Sequence, residues 1–238
     1  MVKATSSAVN FSPLWNRTSG RSFNSHVVSS SIFQDVARPG IGLPVITYNQ
    51  NVTNGVYFGS GNPNGGWTLS TEDQYEIGLR AKTYGGAVIT PDTGTGHYES
   101  STGVSPLNAN RAAWNWEFSI ENLANTGLSG LTAYLSITSA NGLNNGFLPV
   151  DLLAIPDNAI RAPGNSGEQN SENMVFGFLP GYNMWYADTY TFTVTLADGF
   201  FVYASNSIEV TTVPEPTSLT LLALGLAGLF GAARNRRR

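Results

Sequence analysis

The chain has 238 residues, a formal net charge of −4 and no cysteine. That removes disulfides, thiolate nucleophiles and zinc–thiolate centres, and an acidic chain lacks the Lys/Arg excess with which proteins displace counterions from nucleic acid. Only 12% of the residues are charged, about half of the ~25% usual in globular chains, while Gly, Asn, Ser and Thr are abundant, as in exported β-rich domains.

Residues 1–60 carry weak signals and read as a weakly ordered N-terminal segment or edge strands. Within them residues 25–36 fit one short strand or helix, and residues 45–48 and 56–58 one short strand each. A secretory signal needs a basic start followed by about 7–15 apolar residues, and residues 1–20 (MVKATSSAVNFSPLWNRTSG) contain no such run. An exported protein would then require a start upstream of Met1, the preferred expectation, or the gene is a truncated copy. Residues 59–66 (GSGNPNGG) form a loop by their Gly, Asn and Pro content.

Beyond that loop the pattern alternates with a period of two, which marks half-buried strands. Tyr75, Ile77, Leu79 and Ala81 face one way; so do Trp114, Trp116, Phe118 and Ile120, then Leu131, Ala133, Leu135 and Ile137. Tyr190, Phe192, Val194 and Leu196 oppose a row of four threonines. Ala197-Asp198-Gly199 then predicts a hairpin into a strand over 200–204, and residues 207–212 a last strand. Strands with one apolar face pack as two sheets with those faces inward. The expected fold over residues 61–212 is an all-β sandwich, jelly-roll or immunoglobulin-like. Tyr190, after Asp188-Thr189, is similar to the corner tyrosine of immunoglobulin-like sandwiches and reads as structural.

The chain ends in three parts: Val213-Pro214-Glu215-Pro216, the apolar stretch 217–233 (TSLTLLALGLAGLFGAA), then Arg234-Asn235-Arg236-Arg237-Arg238. A membrane-spanning helix needs roughly 20 apolar residues, range about 17–25, so residues 217–233 predict a short transmembrane helix. The arginines mark the end retained in the cytoplasm. Pro214 and Pro216 keep the tether extended.

Taken together, Pro214-Glu215-Pro216, the apolar stretch and the arginine tail resemble the PEP-CTERM sorting signal of Gram-negative bacteria. The resemblance covers residues 213–238. It implies an exosortase, a cysteine-dependent transpeptidase-like membrane enzyme, as partner, with Pro214, Glu215 and Pro216 as the recognition motif and Arg234, Arg236, Arg237 and Arg238 as the retention signal. It also implies a precursor held transiently in the inner membrane, a cell-surface or extracellular destination, and association with exopolysaccharide or biofilm. Residues 76–82, 92–98, 114–120, 169–173 and 188–194 are similar to a group of PEP-CTERM ectodomains without an established activity, which supports the fold more than a function.

Little else in the sequence points to chemistry. The two histidines, His26 and His97, lie in different segments with no nucleophile pattern beside them. Glu117 and Glu121 share a strand face about 13 Å apart at roughly 3.3 Å per residue, too far for the pair of carboxyls, about 5–9.5 Å apart, that glycoside hydrolysis uses. Glu72-Asp73 lies in an expected loop with no partner indicated, and Gly59-Ser60-Gly61 leads into no helix that would bind phosphate. No enzyme and no cofactor are expected. Calcium is the one ion considered: Asp151, Asp157 and Asn158, or Asp92 with Glu99, offer loop oxygens, although turn-making and strand capping are the preferred reading of these residues. A lectin-like alternative would stack sugars on Trp67, Trp185 and Tyr186, which sit in or beside loops, whereas Trp114 and Trp116 belong to the core.

Overall fold

The structure, a computed structural model, describes residues 43–56, 63–142, 150–162 and 164–214. The described chain is all-β: β1 (Val45–Gln50), β2 (Trp67–Glu72), β3 (Tyr75–Thr83), β4 (His97–Ser101), β5 (Val104–Ser105), β6 (Asn108–Ala112), β7 (Trp114–Asn122), β8 (Thr132–Ser139), β9 (Val150–Asp151), β10 (Ala159–Ile160), β11 (Gly167–Asn173), β12 (Thr189–Ala197) and β13 (Val202–Val213). Two single-turn 3₁₀ segments, Leu152–Ala154 and Met174–Phe176, interrupt them. One sheet has the order β1-β2-β3-β7-β11-β10, a second the order β4-β13-β12-β8-β9, and β5 and β6 form a separate ribbon. β1 is an edge strand of the first sheet, which therefore takes in residues before 61. The strand or helix expected at 25–36 lies outside the described residues, and so do 57 and 58 of the strand expected over 56–58.

The period-two segments place their apolar residues in one core between the two larger sheets. Ile77, Leu79, Phe118 and Ile120 come from the first sheet, and Leu135, Phe192, Val194 and Val210 from the second. The indole of Trp116 lies 5.5 Å from the Phe192 ring, centroid to centroid, and that of Trp114 stands edge-on to the same ring at 6.0 Å. Tyr190 is buried in this core beside Trp114 and Tyr182.

Two polar side chains reach from the second sheet to the backbone of the first. Asn206 Nδ2 donates to the carbonyls of Thr68 (2.8 Å) and Ile77 (2.7 Å). The Tyr98 hydroxyl lies 2.8 Å from the Gly66 carbonyl, 3.1 Å from that of Leu79 and 3.0 Å from the Thr68 hydroxyl. Burial pushes its pKa upward, which keeps the donor proton in place. Asn206 also explains a difference from the sequence reading. The strands expected at 200–204 and 207–212 are a single strand, β13, which runs on through Ser205 and Asn206, the Asn206 amide being satisfied across the core.

The outer face of the first sheet departs from the half-exposed pattern. Glu76, Arg80, Lys82, Glu117, Ser119 and Glu121 are all buried there. Described parts of the β1–β2 connection fold across it. Val52 packs on Trp67 and Leu69, Thr53 donates its backbone N–H and hydroxyl to the Glu76 carboxylate at 2.8 and 2.6 Å, and the carbonyls of Pro63 and Gly65 accept from Arg80. Gly78 admits this strap: a Cβ there would lie 2.9 Å from Val52 Cγ1 and 3.1 Å from Trp67 Cε3. Glu117 takes Arg80 and Lys82 as ion-pair partners, Lys82 Nζ at 2.7 Å. No helix among the described residues is long and apolar enough to cross a membrane; the span expected at 217–233 lies outside them.

Candidate functional site at the tail exit

The second sheet ends where the three-part tail begins. β13 runs antiparallel to β12 and parallel to β4, and the pairing with β4 continues to its final residue, Val213 opposite Ser101. The Thr102 backbone N–H donates to the Val213 carbonyl at 2.9 Å. Thr212 is buried, its N–H donating to the Asp188 carbonyl at 2.8 Å, while its hydroxyl receives the Asp188 N–H at 3.0 Å. The Asp188 carboxylate accepts from the Ser139 hydroxyl and from the backbone N–H groups of Asn141 (3.2 Å) and Thr189 (2.8 Å). Asp188 therefore ties β8, β12 and β13 together at one end of the sheet. Pro214, the next residue after the strand, is exposed. Glu215, Pro216, Arg234, Arg236, Arg237 and Arg238 lie outside the described residues.

Beside this exit stand Trp185 and Tyr186, exposed at 63% and 62%. The Trp185 ring lies over Gly103, where a Cβ would approach its Cζ3 to 3.2 Å, and the Gly103 N–H donates to the Met184 carbonyl. Thr212 Oγ1 lies 3.4 Å from the Tyr186 carbonyl. Trp67, expected as an exposed platform, is fully buried beneath the β1–β2 strap, with the Arg80 guanidinium 4.2 Å from its ring centroid. The loop that precedes it suggested exposure; the β3 arginine and Val52 cover it.

The model of the PEP-CTERM protein-sorting motif matches residues 212–238. The tail carries a PEP-CTERM sorting motif. It marks an exported protein, sorted to the envelope of a Gram-negative bacterium in an exosortase-dependent manner. The matched stretch begins inside the folded sheet, at Thr212, so the sorting signal and the domain share two strand residues. The chain matches no curated protein and no solved structure.

The remaining sequence candidates are dispersed. His97, on β4, has Nε2 2.9 Å from the Thr211 hydroxyl and 3.9 Å from Glu209, with Asp92 3.7 Å from Nδ1. His26 lies outside the described residues. Glu117 and Glu121 share a face as expected, but each has basic partners of its own; Arg161 Nε stands 3.2 Å from Glu121. Asp151 accepts from the N–H groups of Ala133 and Leu153, both at 3.1 Å. Asn158 donates to the Leu152 carbonyl and to Glu168. Among the described residues no three of His, Asp and Glu converge as metal ligands.

Two features escaped the sequence reading. The buried acid–base face built on β3 and β7 looked like a solvated one. β11 (GEQNSEN) has no apolar alternation, yet most of it is buried. Its detectable signal is a repeated amide and carboxyl content, since such side chains can satisfy one another across strands.

Proposed function

We propose that the chain is a non-enzymatic protein of the cell surface or extracellular matrix, released from its membrane anchor by exosortase cleavage near Pro214-Glu215-Pro216 and associated with exopolysaccharide. The observation that carries the reading is the sorting motif at residues 212–238, continuous with a domain in which Glu117 serves as an ion-pair partner, Glu76 as the acceptor for the strap and Asp151 as a cap. The outer face of the second sheet supports association with a hydrated polymer. Its hydroxyls form cross-strand pairs, Thr189 with Thr211, Thr193 with Ser207 and Thr195 with Ser205. Residues 217–233 hold the precursor in the inner membrane, and Arg234 and Arg236 to Arg238 retain its end in the cytoplasm. The lectin-like alternative now rests on Trp185 and Tyr186 alone.

Intact mass of the protein recovered from its host, in membrane and extracellular fractions, tests this. The extracellular species should lack the residues beyond the motif. Alanine at Pro214, Glu215 and Pro216 together should leave the full tail attached; release with the same truncated mass would reject the motif's role.

A further inference from the structure

We propose that Trp185 and Tyr186 are a membrane foot, seating the tail-proximal end of the domain in the headgroup layer of the bilayer that holds its own tail. The inference rests on the reading of residues 217–233 as a span.

Position comes first. Trp185 lies on Gly103, the neighbour of the Thr102 that bonds Val213, and the Tyr186 carbonyl is within 3.4 Å of the Thr212 hydroxyl. Both aromatics thus sit against the strand end from which the tail departs. Residues 214–216 separate that end from the span, and at no more than about 3.3–3.6 Å per residue they reach roughly 10 Å. The headgroup layer on each side of a bilayer is about 5–8 Å deep, the difference between roughly 40–45 Å overall and about 30 Å of hydrocarbon. So short a tether keeps this end of the domain at the lipid surface.

Chemistry agrees. Trp and Tyr have apolar rings with one polar atom each, the combination that concentrates at membrane–water interfaces. Trp67, Trp114 and Trp116 are buried in the domain, whereas Trp185 is turned outward. A sugar platform also needs polar side chains beside the rings, and three of those nearby, Asn183, Asn141 and Asp188, hold the local fold. Asn183 Oδ1 accepts the Trp185 backbone N–H, Asn141 Nδ2 donates to the Ala187 carbonyl, and the Asp188 carboxylate is held by Ser139, Asn141 and Thr189.

The test uses the full chain reconstituted in vesicles of phosphatidylethanolamine and phosphatidylglycerol, with and without lipids brominated near the headgroup. Comparing the protein with Trp185→Phe isolates Trp185 emission from that of the other tryptophans. Most of that component should be lost in brominated vesicles, and Trp185→Phe combined with Tyr186→Trp should restore a quenchable signal one residue away. A chain that resists alkaline carbonate extraction but shows no Trp185 quenching overturns the foot and leaves the span standing. A chain that washes off removes both. Emission that ignores lipid but responds to the host's purified exopolysaccharide also overturns the foot, in favour of a sugar platform.

Discussion

The backbone N–H of Thr102 holds the carbonyl of Val213 at 2.9 Å, so the residue before the sorting motif's first proline is still part of the sheet. If cleavage takes place near Pro214-Glu215-Pro216, as proposed, the enzyme meets a strand end pinned to the domain. Thr102→Pro removes this donor, at a local cost of about 0.5–1.5 kcal/mol for one hydrogen bond. The expected result is faster conversion of precursor to mature protein, followed by pulse-chase in the host. An unchanged rate would mean that the pinned end does not limit access.

Glu121 should make stability depend on pH. Burial raises its pKa from 4.5 to about 8, against the opposing pull of Arg161 and with some help from Glu76. Between those values the folded protein holds a proton that the unfolded chain has released, so stability falls as pH rises from about 4.5 to 8, by on the order of a few kcal/mol. Glu121→Gln mimics the protonated form. Its melting temperature should match that of the parent near pH 5 and exceed it at pH 9; a constant difference across that range would exclude this origin.

Glu117 is the shared partner of Arg80 and Lys82 beneath the β1–β2 strap. Glu117→Ala leaves two buried cations facing each other, and breaking such a pair costs about 3–5 kcal/mol. At about 2–4 °C per kcal/mol for a domain of this size, the melting temperature should drop by about 6–20 °C. Lys82→Met, which keeps the Arg80–Glu117 pair, should cost far less. Thermal melts of the two variants side by side decide it; equal losses would refute the ranking.

Asn206 is the third test of the core. Asn206→Leu fills similar space but removes the two hydrogen bonds to the carbonyls of Thr68 and Ile77, each at about 0.5–1.5 kcal/mol. Chemical denaturation should show the loss, and amide exchange on β2 and β3 should quicken ahead of exchange on β12. A neutral result would mean that the two sheets hold without the polar pin.

Gly78→Ala should destabilise by about 1–3 kcal/mol through overpacking, because the new methyl meets Val52, Leu69 and Trp67 within 3.1 Å. Limited proteolysis should then cut the β1–β2 strap first. Cleavage distributed over the whole domain would argue against a local effect.

The alternations at 75–81, 114–120 and 190–196 and the order of motif, apolar stretch and arginines were legible because each is local: a period of two states which residues must hide from water, and the tail is a contiguous address. The burial of Trp67, the continuity of β13 and the charged layer around Glu117 beneath the strap were not. Each depends on a partner far along the chain, Arg80 for Trp67, Thr68 and Ile77 for Asn206, Lys82 for Glu117. A polar residue reads as exposed until a distant group satisfies it, and the sequence does not say which group will arrive. The place of Trp185 and Tyr186 has the same origin: parallel pairing of β4 with β13 brings Gly103 to the end of the last strand, and with it the two aromatics to the point where the sorting tail begins.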